Sequence, residues 1–158
     1  MAESMMAESK SISKRWRSPV VLIRFSSILF VGLMIGHTSA YPWTSAHDPR
    51  ETKLIELMKD IPFEFVRERS TYWNLYFGWG LLIGVLLLTL AVILWILSNL
   101  AHIGSRGVGA ICVIVSATSL VGAYLSFRFF YIPPFLFFSV ICVILTTAAV
   151  QLLRRQNE

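Results

Sequence analysis

The stretch LLIGVLLLTLAVILWIL, residues Leu81 to Leu97, decides the fold class of this chain. It lies within an interval from Asn74 to Ser105 that contains no charged residue. A bilayer core about 30 Å thick is crossed by about 20 consecutive apolar residues in a helix. The stretch therefore predicts a membrane-spanning helix over about residues 75–97.

Three further apolar intervals predict spans at about residues 19–37, 107–127 and 132–153; only the first contains a charge, Arg24. The composition agrees, since 15% of the residues are charged and a soluble protein carries about 25%. The predicted fold is an all-α membrane protein, a four-helix transmembrane bundle with an amphipathic extracytoplasmic helix between spans one and two. The small residues Thr38-Ser39-Ala40 resemble a cleavage site, so a cleaved signal peptide is an alternative interpretation of the first span. We favour a retained span because Arg24 lies inside the apolar run.

Basic residues set the predicted orientation, because cytoplasmic flanks of membrane spans are rich in Lys and Arg. Four spans place both termini on one side, and both terminal flanks are basic, so we expect both in the cytoplasm. The predicted organisation is a disordered cytoplasmic tail (1–18), a single four-span domain (19–153) with an external loop (38–74), and a second cytoplasmic tail (154–158). The net charge of +5 reflects this topology, and no sequence pattern indicates a nucleic-acid partner.

The external loop contains the start signals of a helix in HDPRETKLIELMKDI, residues 47–61. Asp48 is a predicted N-cap, Pro49 fits the first helical position, and Glu51 can complete a capping box. Pro62 is expected to end the helix. A short amphipathic piece, Phe63 to Arg69, is expected to lead into span two. The helix would have one apolar face, formed by Leu54, Ile55, Leu57, Met58 and Ile61.

Small residues recur three and four positions apart in the predicted spans. Such stripes let helices approach closely in lipid, where the hydrophobic effect gives no drive to pair. We expect each stripe to face a neighbouring helix rather than to line a pore. The residues are Gly32 and Gly36 in span one; Gly80 and Gly84 in span two; Gly109, Cys112, Ser116, Ser119, Ala123 and Ser126 in span three; and Ser139, Cys142, Thr146 and Ala149 in span four.

Aromatic residues crowd the start of span two in STYWNLYFGWG, residues Ser70 to Gly80. Trp and Tyr favour the membrane–water interface, because the ring lies in lipid while the N–H or O–H reaches water. The cluster therefore predicts an aromatic belt at the outer rim of the bundle. Trp43, Trp73 and Tyr76 are the candidate binding residues there.

Polar residues at the predicted ends of three spans could meet at the same rim. Together they offer an imidazole, two carboxylates, a phenol and a guanidinium, which could serve acid–base chemistry or simply pair charges beside the headgroups. We hypothesise that the arginine pairs with one of the two glutamates. The candidate catalytic cluster is His37, Glu64, Glu68, Tyr72 and Arg128.

No motif for a metal, a cofactor or a phosphate-binding loop occurs, so we expect neither a metal nor a cofactor. Cys112 and Cys142 lie in apolar spans without CxxC spacing, which argues against a disulfide. Spans two to four contain no mid-bilayer charge, whereas ion relays usually need one.

Several boundary motifs carry a resemblance: Gly36-His37, Tyr41-Pro42-Trp43, Ser70-x-Tyr72-Trp73, Tyr76-x-Gly78, Trp95 and Phe129-Phe130. From span one onward the chain resembles a family of small bacterial four-span membrane proteins with no established activity. The resemblance implies the same architecture and a bacterial inner-membrane location, and it implies no catalytic residues.

The expected function is that of a non-enzymatic accessory or structural membrane component. One alternative is a lipid- or isoprenoid-modifying membrane enzyme with a site at the outer rim, and a second is a small-molecule permease. The expected partners are the lipid bilayer and either another membrane protein or a lipid-like ligand.

Overall fold

The computed structural model describes residues 18–40, 46–65, 68–101 and 106–154. Within these ranges the chain forms five helices and one antiparallel β-hairpin. The elements are, in chain order, α1 (Pro19–Ala40), α2 (Pro49–Asp60), β1 (Pro62–Phe65), β2 (Glu68–Thr71), α3 (Tyr72–Leu100), α4 (Arg106–Phe129) and α5 (Ile132–Arg154). The predicted terminal tails lie almost entirely outside the described residues.

Four of these helices, α1, α3, α4 and α5, are long and apolar enough to span a bilayer. This confirms the predicted fold class, an all-α multi-pass membrane protein. The chain divides into two compact units. The loop unit is Met34–Leu88, and the helix unit joins Met1–Leu33 to Thr89–Glu158.

The stripe of small residues on α4 forms the centre of the helix unit. All six of its members, Gly109, Cys112, Ser116, Ser119, Ala123 and Ser126, are buried, as the spacing predicted. A side chain added at Gly109 would place its Cβ 3.0 Å from Leu153 Cδ2, and one at Gly122 would meet Phe138 Cδ1 at 3.0 Å. The small residues therefore allow α4 and α5 to pack closely.

The stripe predicted on α5 contacts α4, as expected, but it is only partly buried. Ala149 is buried, but Cys142 is half-buried and Thr146 is exposed. Both of these residues contact Ser116 of α4. The Ser116 Oγ donates to the Cys142 carbonyl at 2.9 Å and lies 2.7 Å from Thr146 Oγ1. The buried side of α5 is aliphatic and consists of Ile141, Leu145, Ala148, Ala149 and Leu152.

The first helix, α1, contacts both α3 and α5 within the helix unit. Ser27 Oγ donates to the Ala91 carbonyl at 2.7 Å. The Phe30 and Phe138 rings meet edge-to-face, with 6.3 Å between their centroids. Together with the α4–α5 contact, these interactions join all four spanning helices in one bundle.

In the loop unit, α2 begins at the predicted residue. Asp48 is the N-cap, its Oδ1 accepts from the Arg50 N–H at 2.7 Å, and Pro49 takes the first helical position. The Glu51 carboxylate accepts from the His47 N–H at 2.9 Å, one residue before the position that a standard capping box uses. The helix ends at Asp60, before Pro62, as predicted.

The segment predicted as a short amphipathic lead into span two is a β-hairpin instead. Its register pairs Pro62 with Thr71 and Glu64 with Arg69. Alternation of apolar and polar residues in PFEF and the β-branched Thr71 favour strands. The spanning helix begins at Tyr72, directly after the hairpin, rather than at about residue 75 as predicted. Thr71 Oγ1 caps the helix by accepting from the Asn74 N–H at 3.2 Å.

Two glycines of the loop unit differ from each other in their packing. Gly84 is buried, and an added Cβ would lie 3.1 Å from Thr38 Oγ1, as a close helix contact requires. Gly36 is exposed, and an added Cβ would meet nothing within 4 Å. The expectation that Gly36 faces a neighbouring helix was therefore wrong.

Candidate functional site

The loop unit contains the start of α3, where the aromatic residues of the opening analysis lie. The Trp73 ring centroid is 5.9 Å from that of Tyr76 and 6.3 Å from that of Phe77. Lys59 of α2 places its ammonium 5.1 Å from the Trp73 ring centroid. This distance is within the range of a cation–π interaction, so Trp73 joins α2 to the spanning helix.

The described residues of the candidate catalytic cluster, His37, Glu64, Tyr72 and Arg128, contact different residues in the structure. His37 on α1 bonds through Nε2 to the Gly80 carbonyl at 2.9 Å. The Tyr72 ring packs against Phe63 of the hairpin, with 5.3 Å between centroids. Both contacts tie neighbouring elements to α3.

Glu64 pairs with Arg69 across the hairpin, with 3.0 Å between Oε1 and Nε. The two residues are directly opposite in the strand register, and both are largely exposed, so the pair contributes at most about 1 kcal/mol. The hypothesis gave Glu64 a different partner, Arg128. That guanidinium belongs to the helix unit, where it lies 5.5 Å from the Phe129 ring centroid.

Two candidate residues cannot be placed. Trp43 and the side chain of Glu68 lie outside the described residues. A pair between Arg128 and Glu68 therefore stays a prediction.

An open groove runs along one side of the α3 start and reaches the hairpin. Its volume is about 310 Å³, at the lower end of the range of small-molecule sites. Apolar side chains form most of its wall, and two polar side chains lie toward the hairpin. The lining residues are Phe63, Ser70, Asn74, Leu75, Gly78, Trp79 and Leu82.

Gly78 lines this groove. A Cβ added at this position would meet nothing within 4 Å, so the missing side chain leaves open space on the helix surface. Sequence reasoning chose Trp73 and Tyr76 as binding residues, but neither lines the groove. The available signal was the spacing of Asn74, Gly78 and Leu82, which places one residue per turn on the same helix face.

The described residues include no group of three His, Cys, Asp or Glu side chains that could hold a metal ion. Both cysteines are free thiols, Cys112 buried and Cys142 half-buried. These thiols lie in the α4–α5 contact, where Ser116 Oγ is 3.4 Å from Cys142 Sγ.

Comparison with models of known protein families, with curated proteins and with solved structures finds no match for this chain.

Proposed function

We propose that this chain is a non-enzymatic accessory protein of a cell membrane, which binds another membrane protein through α2. The observation that supports the proposal is the uncovered apolar face of this helix. No residue of α2 is buried. Leu54 is 56% exposed, Leu57 47%, and the adjoining Ile61 47%. In the described part of the loop unit, only Gly84 and Leu87 are buried.

The charge of α2 favours a protein as the molecule that covers this face. Helices that lie on anionic membrane surfaces are rich in Lys and Arg on their polar side. The sequence of α2, PRETKLIELMKD, contains three basic and three acidic residues, so its side chains carry no net charge. An amphipathic helix of this kind suits an apolar groove on a partner, in which residues at helical spacing act as anchors.

The proposed setting is the bacterial inner membrane, with both termini in the cytoplasm and the loop unit outside. In this setting the aromatic residues from Tyr72 to Trp79 form the outer aromatic belt. The exposed apolar side chains of α3 then face lipid, which leaves α2 as the surface available to a protein partner.

Replacing Leu54 and Leu57 together by glutamate is expected to remove the partner, because two charges would enter the apolar contact. The measurement is quantitative mass spectrometry of proteins that copurify in a gentle detergent. The control, Thr52→Glu with Lys53→Gln, makes the same change of two charge units at exposed positions outside the apolar set. We expect the control to keep the partner at the wild-type ratio and both variants to show wild-type yield. Retention of every stoichiometric partner by the leucine variant contradicts the proposal.

The groove supports a second candidate, in which the loop unit binds a lipid-like ligand, as a lipid- or isoprenoid-modifying protein would. The groove has apolar walls along the membrane-spanning helix and polar residues, Ser70 and Asn74, at the hairpin end. This polarity matches an amphiphile that enters from the bilayer.

Gly78→Phe is expected to fill the groove and to reduce copurifying amphiphile by about tenfold or more, the equivalent of about 1.4 kcal/mol of binding free energy. The matched control is Gly36→Phe, since an added side chain at Gly36 also meets open space and Gly36 does not line the groove. Lipid mass spectrometry of the purified proteins measures the difference. Equal lipid content in the two variants would show that the groove holds no ligand.

A further inference from the structure

A second polar cluster lies in the helix unit, around an arginine inside a membrane span. Arg24 Nε donates to Ser98 Oγ at 3.2 Å, and Arg24 Nη2 donates to Asn99 Oδ1 at 2.9 Å. The guanidinium carbon lies 5.5 Å from the Trp95 ring centroid. Ser98 is itself oriented by donating to the Trp95 carbonyl at 2.6 Å. The first helix and the end of α3 thus hold the arginine from three sides.

All three partners of Arg24 are neutral, so its positive charge is not balanced within the cluster. From Ser9 to His47 and from Ser70 to Asn157 the sequence contains no aspartate or glutamate. The described residues of the helix unit therefore include no side-chain carboxylate. A charge within a membrane span is costly unless it is paired. An anion from outside the helix unit would balance it.

The position of the cluster gives such an anion access. Arg24 comes five residues after the start of α1, about 7.5 Å along a helix, and Asn99 is one residue before the end of α3. Trp95 and Asn99 are exposed, and Arg24 is half-buried. The cluster therefore lies near the end of the bundle, within reach of the headgroup layer.

The hydrogen-bond donors that remain in the cluster suit a phosphate group. A guanidinium has five N–H donors, and the bonds to Ser98 and Asn99 use two of them. Asn99 accepts through Oδ1, so its Nδ2 amide is a further donor. Arginine binds phosphate in a planar, bidentate geometry.

We propose that Arg24, Trp95, Ser98 and Asn99 form a binding site for the phosphate group of an anionic membrane lipid or for free phosphate. Arg24 supplies the charge and the paired donors, Asn99 adds a neutral donor, and Ser98 and Trp95 hold the guanidinium. This site is independent of the partner surface on α2.

The decisive variant is Asn99→Asp, because aspartate has nearly the shape of asparagine and supplies an internal carboxylate to Arg24. The fold is expected to be retained, with an ion pair replacing the neutral hydrogen bond. The internal carboxylate should compete with the phosphate and repel it. Arg24→Gln removes the charge itself, and Arg154→Gln is the control, since Arg154 is an exposed arginine of the same unit.

The full chain is placed in nanodiscs of phosphatidylcholine, alone or mixed with phosphatidylglycerol, and bound lipid is counted by native mass spectrometry. We expect wild type and Arg154→Gln to prefer phosphatidylglycerol, and Asn99→Asp and Arg24→Gln to lose the preference by at least about tenfold, the scale of one charge-assisted hydrogen bond.

A parallel arm titrates inorganic phosphate in phosphatidylcholine nanodiscs and follows the thermal midpoint. A rise that depends on Arg24 identifies free phosphate as the ligand, whereas a lipid preference without such a rise identifies the headgroup. The proposal is overturned if wild type shows neither response, or if Asn99→Asp responds as wild type does while its thermal midpoint is unchanged or higher.

Discussion

Replacing Ser119 by leucine is expected to destabilise the protein more than any other single change considered. Ser119 is 1% exposed, and its Oγ donates to the Val115 carbonyl of the same helix at 2.8 Å. The serine side chain therefore lies in a filled contact between α4 and its neighbours. A leucine, with three more carbon atoms, would not fit there without displacing the neighbours. Overpacking a filled contact costs about 1–3 kcal/mol, and in lipid the helices also lose the close approach that holds them together. The measurement is the thermal midpoint in a mild detergent.

Two variants test whether close packing is the cause. Gly84→Leu should also lower the midpoint, because an added Cβ there lies 3.1 Å from Thr38 Oγ1. Leu86→Phe should leave the midpoint nearly unchanged, because Leu86 is 52% exposed two residues further along the same helix. If all three variants melt at the same temperature, the stripes of small residues do not determine helix packing.

Labelling of single cysteines from outside the cell is expected to modify the loop position and neither terminal position. In a background that lacks Cys112 and Cys142, a membrane-impermeant thiol reagent added outside intact cells should modify Ser45→Cys. It should not modify Ser4→Cys or Asn157→Cys. The reason is the position of Lys and Arg at both terminal flanks, which predicts cytoplasmic termini. Mass shift of the purified protein measures the modification.

Permeabilised cells provide the control for this experiment, because all three cysteines should then react. External labelling at either terminus in intact cells contradicts the predicted topology. Reaction at only one terminus would indicate an odd number of spans.

The sequence predicted which residue types occur in the candidate rim site, but not which residues pair with one another. The aromatic start of α3 and the cap at Asp48 follow from local sequence, since each depends on residues within one or two helical turns. The partner of Glu64 depends on the hairpin register, which places Arg69 directly opposite. The hairpin was missed because its two strands have four residues each, too few for a clear periodic signal. Glu64 is paired across the hairpin, and the part of the predicted cluster that involves Glu68 stays a prediction.

The partners of the two arginines within apolar segments were also not predicted from the sequence. Sequence reasoning made Arg128 the charge partner of a glutamate in the candidate cluster. It used Arg24 only to favour a retained first span. In the structure Arg24 has two hydrogen bonds to residues more than 70 positions away in the chain, whereas Arg128 lies over the ring of its own neighbour, Phe129. Neither partnership can be read from composition or spacing.

The sequence by itself determined the membrane class, the four spans and the buried stripe of α4. Each depends on a property that accumulates along a single helix: apolar length, absence of charge, or small residues at helical spacing. Only the tertiary structure decided which face of α5 is buried, that an added Cβ at Gly36 would meet no neighbour, that Gly78 lines a groove, and that Arg24 is held by Ser98 and Asn99. These features depend on which helices are neighbours and on their rotation about their own axes. In lipid, hydrophobicity does not set that rotation, because every face of an apolar helix is equally compatible with the surrounding solvent.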